Sequence, residues 1–255
     1  RGGPNTPDTV PRKVQNVIQS RLANLSSEAG HVVSVAATIG HAFSLELLTT
    51  AAQLDYEISS QLLDELWTRR IIQAKDQGEY DFSHDRIREV VYSDIPPFRR
   101  QTLHKWIAQA LETIFQPNLS PIYGELGAHY EQAGMLESAM RCYKQATINA
   151  RQLYAHNDLV LYFGKTIATL RQLPNRNDLA GEEIDLLVAL GLALILVYGF
   201  GAKSAGDAWH EAYELAAKRG TKFQQCRALL GLDMYYNNLG EMYKARIYSE
   251  KSYEL

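Results

Sequence analysis

The sequence predicts a mainly α-helical protein in two parts. Through most of its 255 residues, apolar side chains recur every three or four positions, which is the spacing of amphipathic helices. One interruption stands out: a short apolar run, Ile71 to Ala74, and a second run from Tyr80 flank the polar turn Asp76-Gln77-Gly78. This pattern predicts a β-hairpin. After residue 116, small and aromatic residues recur in a helical-repeat register.

Four helices are predicted before the hairpin and two after it. The first covers residues 12–25 and the last runs from 98 to 115. Helices followed by a hairpin and another helix predict a winged helix-turn-helix with a β-hairpin wing, which we assign to residues 12–116, after a linker at 1–11. The other predicted helices cover residues 28–39, capped by Ser26-Ser27; Phe43 to about Leu54; Asp55 to Arg70, capped by Asp55; and 84–94, which Pro96-Pro97 ends.

The segment from Tyr80 to Tyr92 carries the residues of most functional interest. Ser83 is predicted to cap the following helix with its hydroxyl, and Asp85 complements the positive end of that helix. His84 then falls at a strand-to-helix junction beside several charged groups. An imidazole in this place can donate a hydrogen bond to an anion, or can simply complete a loop.

The second part, residues 117–255, predicts a tetratricopeptide-like α-superhelix. Ala139 and Ala205 lie 66 positions apart, close to two repeats of about 34 residues. Ala245 follows 40 positions after Ala205, so the array is irregular. The last repeat is unfinished at Leu255, and solenoids need polar capping repeats, so we expect a piece cut from a longer protein.

Composition excludes several classes of protein. With 46% hydrophobic and 22% charged residues and a net charge of −3, the chain is an ordinary globular one without a basic footprint for nucleic acid. Cys142 and Cys226 form no metal-like pair, and no signal peptide is visible, so we expect a reducing, cytoplasmic setting. The longest apolar run, Leu186 to Phe200, is shorter than the roughly 20 residues of a membrane span and predicts a buried helix.

No pattern in the sequence predicts catalysis or a metal site. Gly164-Lys165-Thr166 looks like the end of a phosphate-binding loop, but Leu159 stands where that loop needs a glycine. The triplet also falls within a predicted helix, which leaves no loop N–H groups for phosphate. We therefore expect no catalytic residue, no metal ligand and no bound cofactor in this chain. An enzyme with an unrecognised pocket remains an alternative.

A winged helix could also read DNA, and a DNA-binding transcription factor is the second functional hypothesis. The helix before the hairpin carries Asp55, Glu57, Asp64 and Glu65, and its cations, Arg69 and Arg70, fall at its end. This balance repels a phosphate backbone, so the sequence argues against direct nucleic-acid binding.

The segment FSHDRIREVVY, residues 82–92, followed by RRQTLHKWIAQALE, residues 99–112, resembles the winged-helix region of STAND-class ATPases. The most similar group is the large AAA-type regulators with an ATPase core, a winged helix and helical repeats. The resemblance spans about residues 9–255 and does not include the ATPase core. It implies a regulatory part of a signalling or transcriptional regulator, whose parent binds ATP or ADP with Mg on an upstream domain in cis.

The resemblance also implies roles for particular residues. His84 would sense the nucleotide by donating to the β-phosphate of ADP. Arg86, Arg88 and Glu89 could dock the winged helix on the ATPase domain, or could only form ion pairs three residues apart, Asp85 with Arg88 and Arg86 with Glu89. The repeats would bind a protein or small-molecule inducer. The inducer, the oligomeric state and the output domain, whether DNA-binding, kinase or cyclase, stay open.

Overall fold

A computed structural model describes the chain at residues 18–40 and 42–255. The described chain is mainly helical and contains one small antiparallel sheet. It divides into two compact units, the first ending at Pro117 and including Gln132–Gly134, and the second comprising Asn118–Glu131 and Met135–Leu255. Each unit has its own core.

The first unit places short strands between its helices. Residues 18 to 22 are helical, and the rest of the predicted helix 12–25 lies partly outside the described residues. In chain order the elements are α1 (Ser27–Ile39), β1 (Phe43–Ser44), α2 (Leu45–Ala52), α3 (Tyr56–Thr68), β2 (Ile72–Ala74), β3 (Glu79–Phe82), α4 (Asp85–Asp94) and α5 (Pro97–Phe115), with a 3₁₀ turn at Asp76–Gly78 between β2 and β3.

Side-chain caps fix where the early helices begin. The Ser26 hydroxyl accepts the backbone N–H of Ala29 at 3.1 Å, and the Asp55 carboxylate accepts that of Glu57 at 2.8 Å. Both caps were predicted from the sequence. Each satisfies one of the N–H groups that the first turn of a helix leaves without an intrahelical partner.

The sheet has three strands, in the order β1-β3-β2, and not two. Strand β2 pairs with β3 as the predicted hairpin, while Phe43 of β1 pairs with Tyr80 of β3. The prediction that a helix begins at Phe43 is therefore wrong, because α2 begins at Leu45, where Ser44 caps it. A two-residue strand has no detectable period, and its partner lies 37 positions away in the chain.

Two histidines connect the helices of the first unit. Arg99 of α5 donates to His31 Nδ1 at 3.1 Å, so the other ring nitrogen, Nε2, carries the hydrogen and donates to the Ala52 carbonyl at 3.2 Å. His104 is buried on α5, and its Nε2 lies 3.0 Å from the Tyr92 hydroxyl on α4. Both imidazoles therefore serve the packing of the unit.

The second unit is a series of helices in which each packs against the next. Contacts join α7 to α8, α8 to α9, α9 to α10, α10 to α11 and α11 to α12. The helices are α6 (Tyr123–Gln132), α7 (Leu136–Gln152), α8 (His156–Leu170), α9 (Ala180–Tyr198), α10 (Lys203–Arg219), α11 (Lys222–Asn238) and α12 (Met242–Tyr253), preceded by a 3₁₀ turn at Ser120–Ile122.

Aromatic rings lie directly on glycine backbone in this unit. Trp209 of α10 is fully buried, and its ring lies between Gly191 of α9 and Gly231 of α11. A Cβ on either glycine would come within 3.0 Å of the indole. The indole N–H donates to the Val188 carbonyl at 3.3 Å, which satisfies its one polar group. Three further pairs repeat this close approach: Tyr143 on Gly127, Tyr162 on Gly124 and Tyr235 on Gly206.

Charged side chains join the helices around this apolar core. Arg171, the C-cap residue of α8, binds Glu183 of α9 through Nε at 2.5 Å and Glu211 of α10 through Nη2 at 2.5 Å. Glu183 is 5% exposed, so this guanidinium compensates a carboxylate that would otherwise be buried without a partner. The apolar run that begins at Leu186 lies in α9, between α8 and α10. Of the helices in the described residues, none is long and apolar enough to cross a membrane.

We expect Gly191→Ala and Gly231→Ala each to lower the free energy of unfolding by about 1–3 kcal/mol, because the added methyl group would overpack the Trp209 ring. Gly164→Ala in α8 is the matched control. No neighbouring atom lies within 4 Å of its added Cβ, so it should be neutral or stabilise by up to about 1 kcal/mol. Urea unfolding followed by circular dichroism measures all three. Similar losses for all three variants would contradict the packing argument.

We also expect acid to destabilise the protein through its buried histidines. Burial, with a smaller contribution from the charge of Arg100, lowers the pKa of His104 from 6.5 to about 4. Burial likewise lowers the pKa of His31, with Arg99 adding to it, against an opposing effect of the hydrogen bond to Ala52. Below pH 6.5 the histidines of the unfolded chain are therefore protonated, while those of the folded chain stay neutral. The free energy of unfolding falls as the pH is lowered from 6.5 toward 4.

For His104 alone, the loss should reach about 2 kcal/mol between pH 7.5 and pH 4.5. Urea unfolding of the wild type and of His104→Gln over this range would measure it. The variant should be less stable at pH 7.5 and should show a shallower dependence on pH. Parallel curves for the two proteins would show that His104 does not titrate as argued.

Candidate functional site

Two open clefts of the first unit meet at His84. The first cleft, which we call the arginine cleft, has a volume of about 680 Å³, and the second has about 430 Å³. His84, Ser83 and Gln73 line both. The arginine cleft is completed by Arg21, Trp67, Thr68, Arg70 and Ile72, and the second cleft by Lys75, Asp81, Phe82, Asp85 and Arg86.

The junction itself differs from the prediction by one residue. Ser83 does not cap α4, because its backbone N–H still donates across the hairpin, to the Ile71 carbonyl at 2.9 Å. The N-cap residue is His84, which has an extended backbone and makes no side-chain capping bond. Asp85 lies in the first turn, as predicted. The His84 side chain is exposed and has no hydrogen-bond partner within the described ranges.

The end of α3 positions the opposite wall of the arginine cleft. Arg70 adopts a left-handed conformation with φ of 54°, the Ile71 N–H donates to Leu66, and the Arg70 N–H donates to Trp67. These two bonds form a Schellman motif, in which glycine usually takes the left-handed place. The chain reverses there, and the side chains of Trp67 and Arg70 reach the same cleft as His84.

The two clefts differ in their charge. Among residues 18–40 and 42–255, no carboxylate lines the arginine cleft, and the side chains of Arg21 and Arg70 have no ion-pair or hydrogen-bond partner. In the second cleft, Lys75 lies 3.7 Å from Asp81, and Arg86 binds Glu89 at 2.8 Å. Only the arginine cleft therefore presents uncompensated positive charge to a ligand.

The predicted docking residues lie on α4, next to His84. Arg86 and Glu89 are bonded to each other, as the alternative interpretation predicted, and both are partly exposed. Arg88 lies one turn after His84, and its Nε is buried with no hydrogen-bond partner in the described part of the chain. The predicted pair of Asp85 with Arg88 is thus not formed at this nitrogen.

The sequence did not predict that Arg21 and Arg70 line a cleft beside His84. Arg21 lies in the first helix, 63 positions before His84, and nothing in the local pattern connects the two. Arg70 was noted only as a cation at a helix end. Arg70 occupies the position just after the end of α3, where the left-handed backbone favours glycine, and an arginine at such a position is unusual.

The other sequence-derived candidates have structural roles or lie elsewhere. Gly164-Lys165-Thr166 lies inside α8, where Lys165 binds Glu131 at 3.0 Å and Thr166 donates to the Tyr162 carbonyl. Within the described ranges, no group of three or more histidine, cysteine or acidic side chains could hold a metal ion.

We expect Arg86→Gln to change the free energy of unfolding by less than about 0.5 kcal/mol, because its ion pair with Glu89 is solvent-exposed and three residues apart on one helix. Chemical unfolding at low and high salt measures this. A loss above about 1.5 kcal/mol would show that Arg86 holds the fold together and would remove it from the candidates for docking.

The chain was compared with protein families, with known proteins and with solved structures. No protein-family model matches the chain. The chain is 26% identical over 219 residues to an uncharacterized protein of Rhizobium meliloti (strain 1021). This alignment covers 80% of the chain and 20% of the relative. The chain therefore spans about a fifth of the length of that relative.

A similarity was also found to a solved structure from Pyrococcus horikoshii, a signal transduction ATPase with numerous domains (STAND) protein with a tetratricopeptide repeat sensor. The alignment covers 97% of this chain and 53% of that one, with 15% identity and a TM-score of 0.26. At this TM-score the similarity is too distant to support conclusions about the fold or function of this chain.

Proposed function

We propose that the chain is a non-catalytic regulatory module of a STAND-type ATPase regulator. The first unit would be a winged helix that docks on a nucleotide-binding domain upstream in the same polypeptide. The second would be a tetratricopeptide-like array that binds a protein or small-molecule inducer. The observation that carries this proposal is His84, an exposed imidazole without a partner in the described residues, at the start of a helix and beside uncompensated positive charge.

The arrangement of the first unit supports the winged-helix assignment. Helices α1, α2 and α3 precede the β2–β3 hairpin, and β1 joins the same sheet. The acidic residues of α3, including Glu57, Asp64 and Glu65, argue against placing this helix on a DNA backbone. A role in contacts within the protein fits this surface better than a role in reading DNA.

The packing of the second unit supports the repeat assignment. Consecutive helices contact each other along the series, and aromatic rings on glycines allow the close approach that such stacks require. Stacked helix pairs offer long surfaces for a partner and contribute no chemistry of their own. The regulatory interpretation therefore needs no catalytic residue in this unit.

The geometry at His84 suits contact with a phosphate. The residues present fit an anion, because His84, Arg21 and Arg70 are donors without acceptors in the described ranges. ADP or ATP with Mg, bound on the upstream domain, would supply phosphate oxygens. The His84 N–H would donate to the β-phosphate of ADP and hold the winged helix against that domain, and loss of this bond on exchange to ATP would release it. We propose a cytoplasmic location for such a switch.

We expect His84→Ala in the longer polypeptide to weaken ADP retention by about tenfold or more, since a hydrogen bond to a charged group contributes about 1.5–3 kcal/mol. Basal activity should rise, because the closed state loses this bond. The measurements are the release rate of a fluorescent ADP analogue and the basal output of the parent.

Lys105→Ala is the control, because Lys105 is exposed on α5 and lines neither cleft at His84. It should leave both quantities unchanged. If His84→Ala binds ADP and signals like the wild type, His84 is not a nucleotide sensor.

A further inference from the structure

We propose that the first unit binds a nucleoside phosphate by itself, in the arginine cleft, with Arg21 and Arg70 on the phosphates and Trp67 on the base. This inference extends the proposed function, since it adds ligand-holding residues to the junction at His84. It does not depend on an upstream nucleotide-binding domain, however, because every group that it uses lies within residues 21–84 of this chain.

The phosphate contacts follow from the pairing of the cations. Near the junction, Arg69 binds Glu65 at 3.3 Å, and Lys75 and Arg86 also have acidic partners. Arg21 and Arg70 line one cleft, and in the described residues no carboxylate neutralises either guanidinium. Each guanidinium group presents a planar set of N–H donors that matches the oxygens of a phosphate.

The base contact follows from Trp67. Its indole lines the same cleft and stays 59% exposed, although the ring is among the largest apolar side chains of the unit. Nucleobases stack on exposed aromatic rings in positively charged clefts, and Trp67 offers such a ring here. Stacking of a base would bury apolar surface that now faces solvent.

The neutral groups and the size of the cleft agree with this ligand. Thr68, Gln73 and Ser83 provide hydroxyl and amide groups that can bond to ribose or phosphate without adding charge. The volume of about 680 Å³ falls within the usual range of small-ligand pockets, roughly 300–1,000 Å³.

The surrounding charge favours a small ligand over a nucleic acid strand. Asp76, Glu79 and Asp81 lie on or beside the hairpin, Asp64 lies on α3, and the whole chain has a net charge of −3. A strand running beyond the cleft would bring further phosphates toward these carboxylates, and a single nucleotide would not.

The experiment is isothermal titration calorimetry of the 255-residue chain with ATP, ADP, adenosine and tripolyphosphate, and with a single-stranded oligonucleotide. We expect saturable binding of ATP and ADP, weaker binding of tripolyphosphate, and weaker binding of adenosine. Arg21→Gln and Arg70→Gln should each weaken ATP binding about tenfold, and Trp67→Ala should bring the affinity for ATP down to that for tripolyphosphate.

Arg69→Gln is the matched control, because Arg69 is adjacent in the chain but is paired with Glu65 and does not line the cleft. It should change ATP affinity less than twofold. Arg70→Gly separates binding from folding: glycine is favoured at the left-handed position, so this variant should unfold at the same or a higher temperature and still lose ATP binding.

Four results would overturn the proposal. These are no saturable binding of ATP or ADP by the wild type, equal effects of Arg69→Gln and Arg70→Gln, equal affinities for ATP and tripolyphosphate, and tighter binding of the oligonucleotide than of ATP with a steep salt dependence. None of them would test His84 in the longer polypeptide, so the failure of this inference and the failure of the proposed function can be told apart.

Discussion

The second unit depends on the contact of Trp209 with the backbone of two helices at once. Its indole fills the space between α9 and α11, and only glycine at positions 191 and 231 leaves room for it. The ring therefore sets the distance between three successive helices. Tyrosine rings contact Gly124, Gly127 and Gly206 in the same manner. The same packing arrangement, an aromatic ring on one helix against a glycine on another, therefore recurs through the stack.

In the first unit, the pairing of the β2–β3 hairpin determines where α4 begins and therefore which side chain is exposed at the junction. The N–H of Ser83 continues the pairing of the strands by donating to the Ile71 carbonyl. The N-cap residue of α4 is therefore His84 and not Ser83. A histidine in this place keeps its ring in solvent and leaves its nitrogens free to meet a ligand. The Schellman turn at Arg70 supplies the facing wall. Two backbone reversals, each stabilised by main-chain hydrogen bonds, thus create the cleft.

The distribution of charge distinguishes the arginine cleft from the rest of the junction. Ion pairs join Lys75 of the hairpin to Asp81 and Arg86 of α4 to Glu89, whereas the side chains of Arg21 and Arg70 have no ion-pair partner within the described residues. Two guanidinium groups that line one cleft repel each other, and a bound anion would reduce this repulsion. In the second unit, the buried carboxylate of Glu183 is instead compensated by Arg171.

The sequence by itself determined the features that depend on neighbouring residues. Helix spacing, the caps at Ser26 and Asp55 and the β2–β3 hairpin were predicted because each rests on contacts a few positions apart. His84 was found from its place between strand and helix. Only the tertiary structure placed Phe43 in the sheet, moved the cap from Ser83 to His84 and brought Arg21 to the cleft. Those three outcomes depend on bonds and contacts between residues far apart in the chain, which leave no period or motif in the sequence.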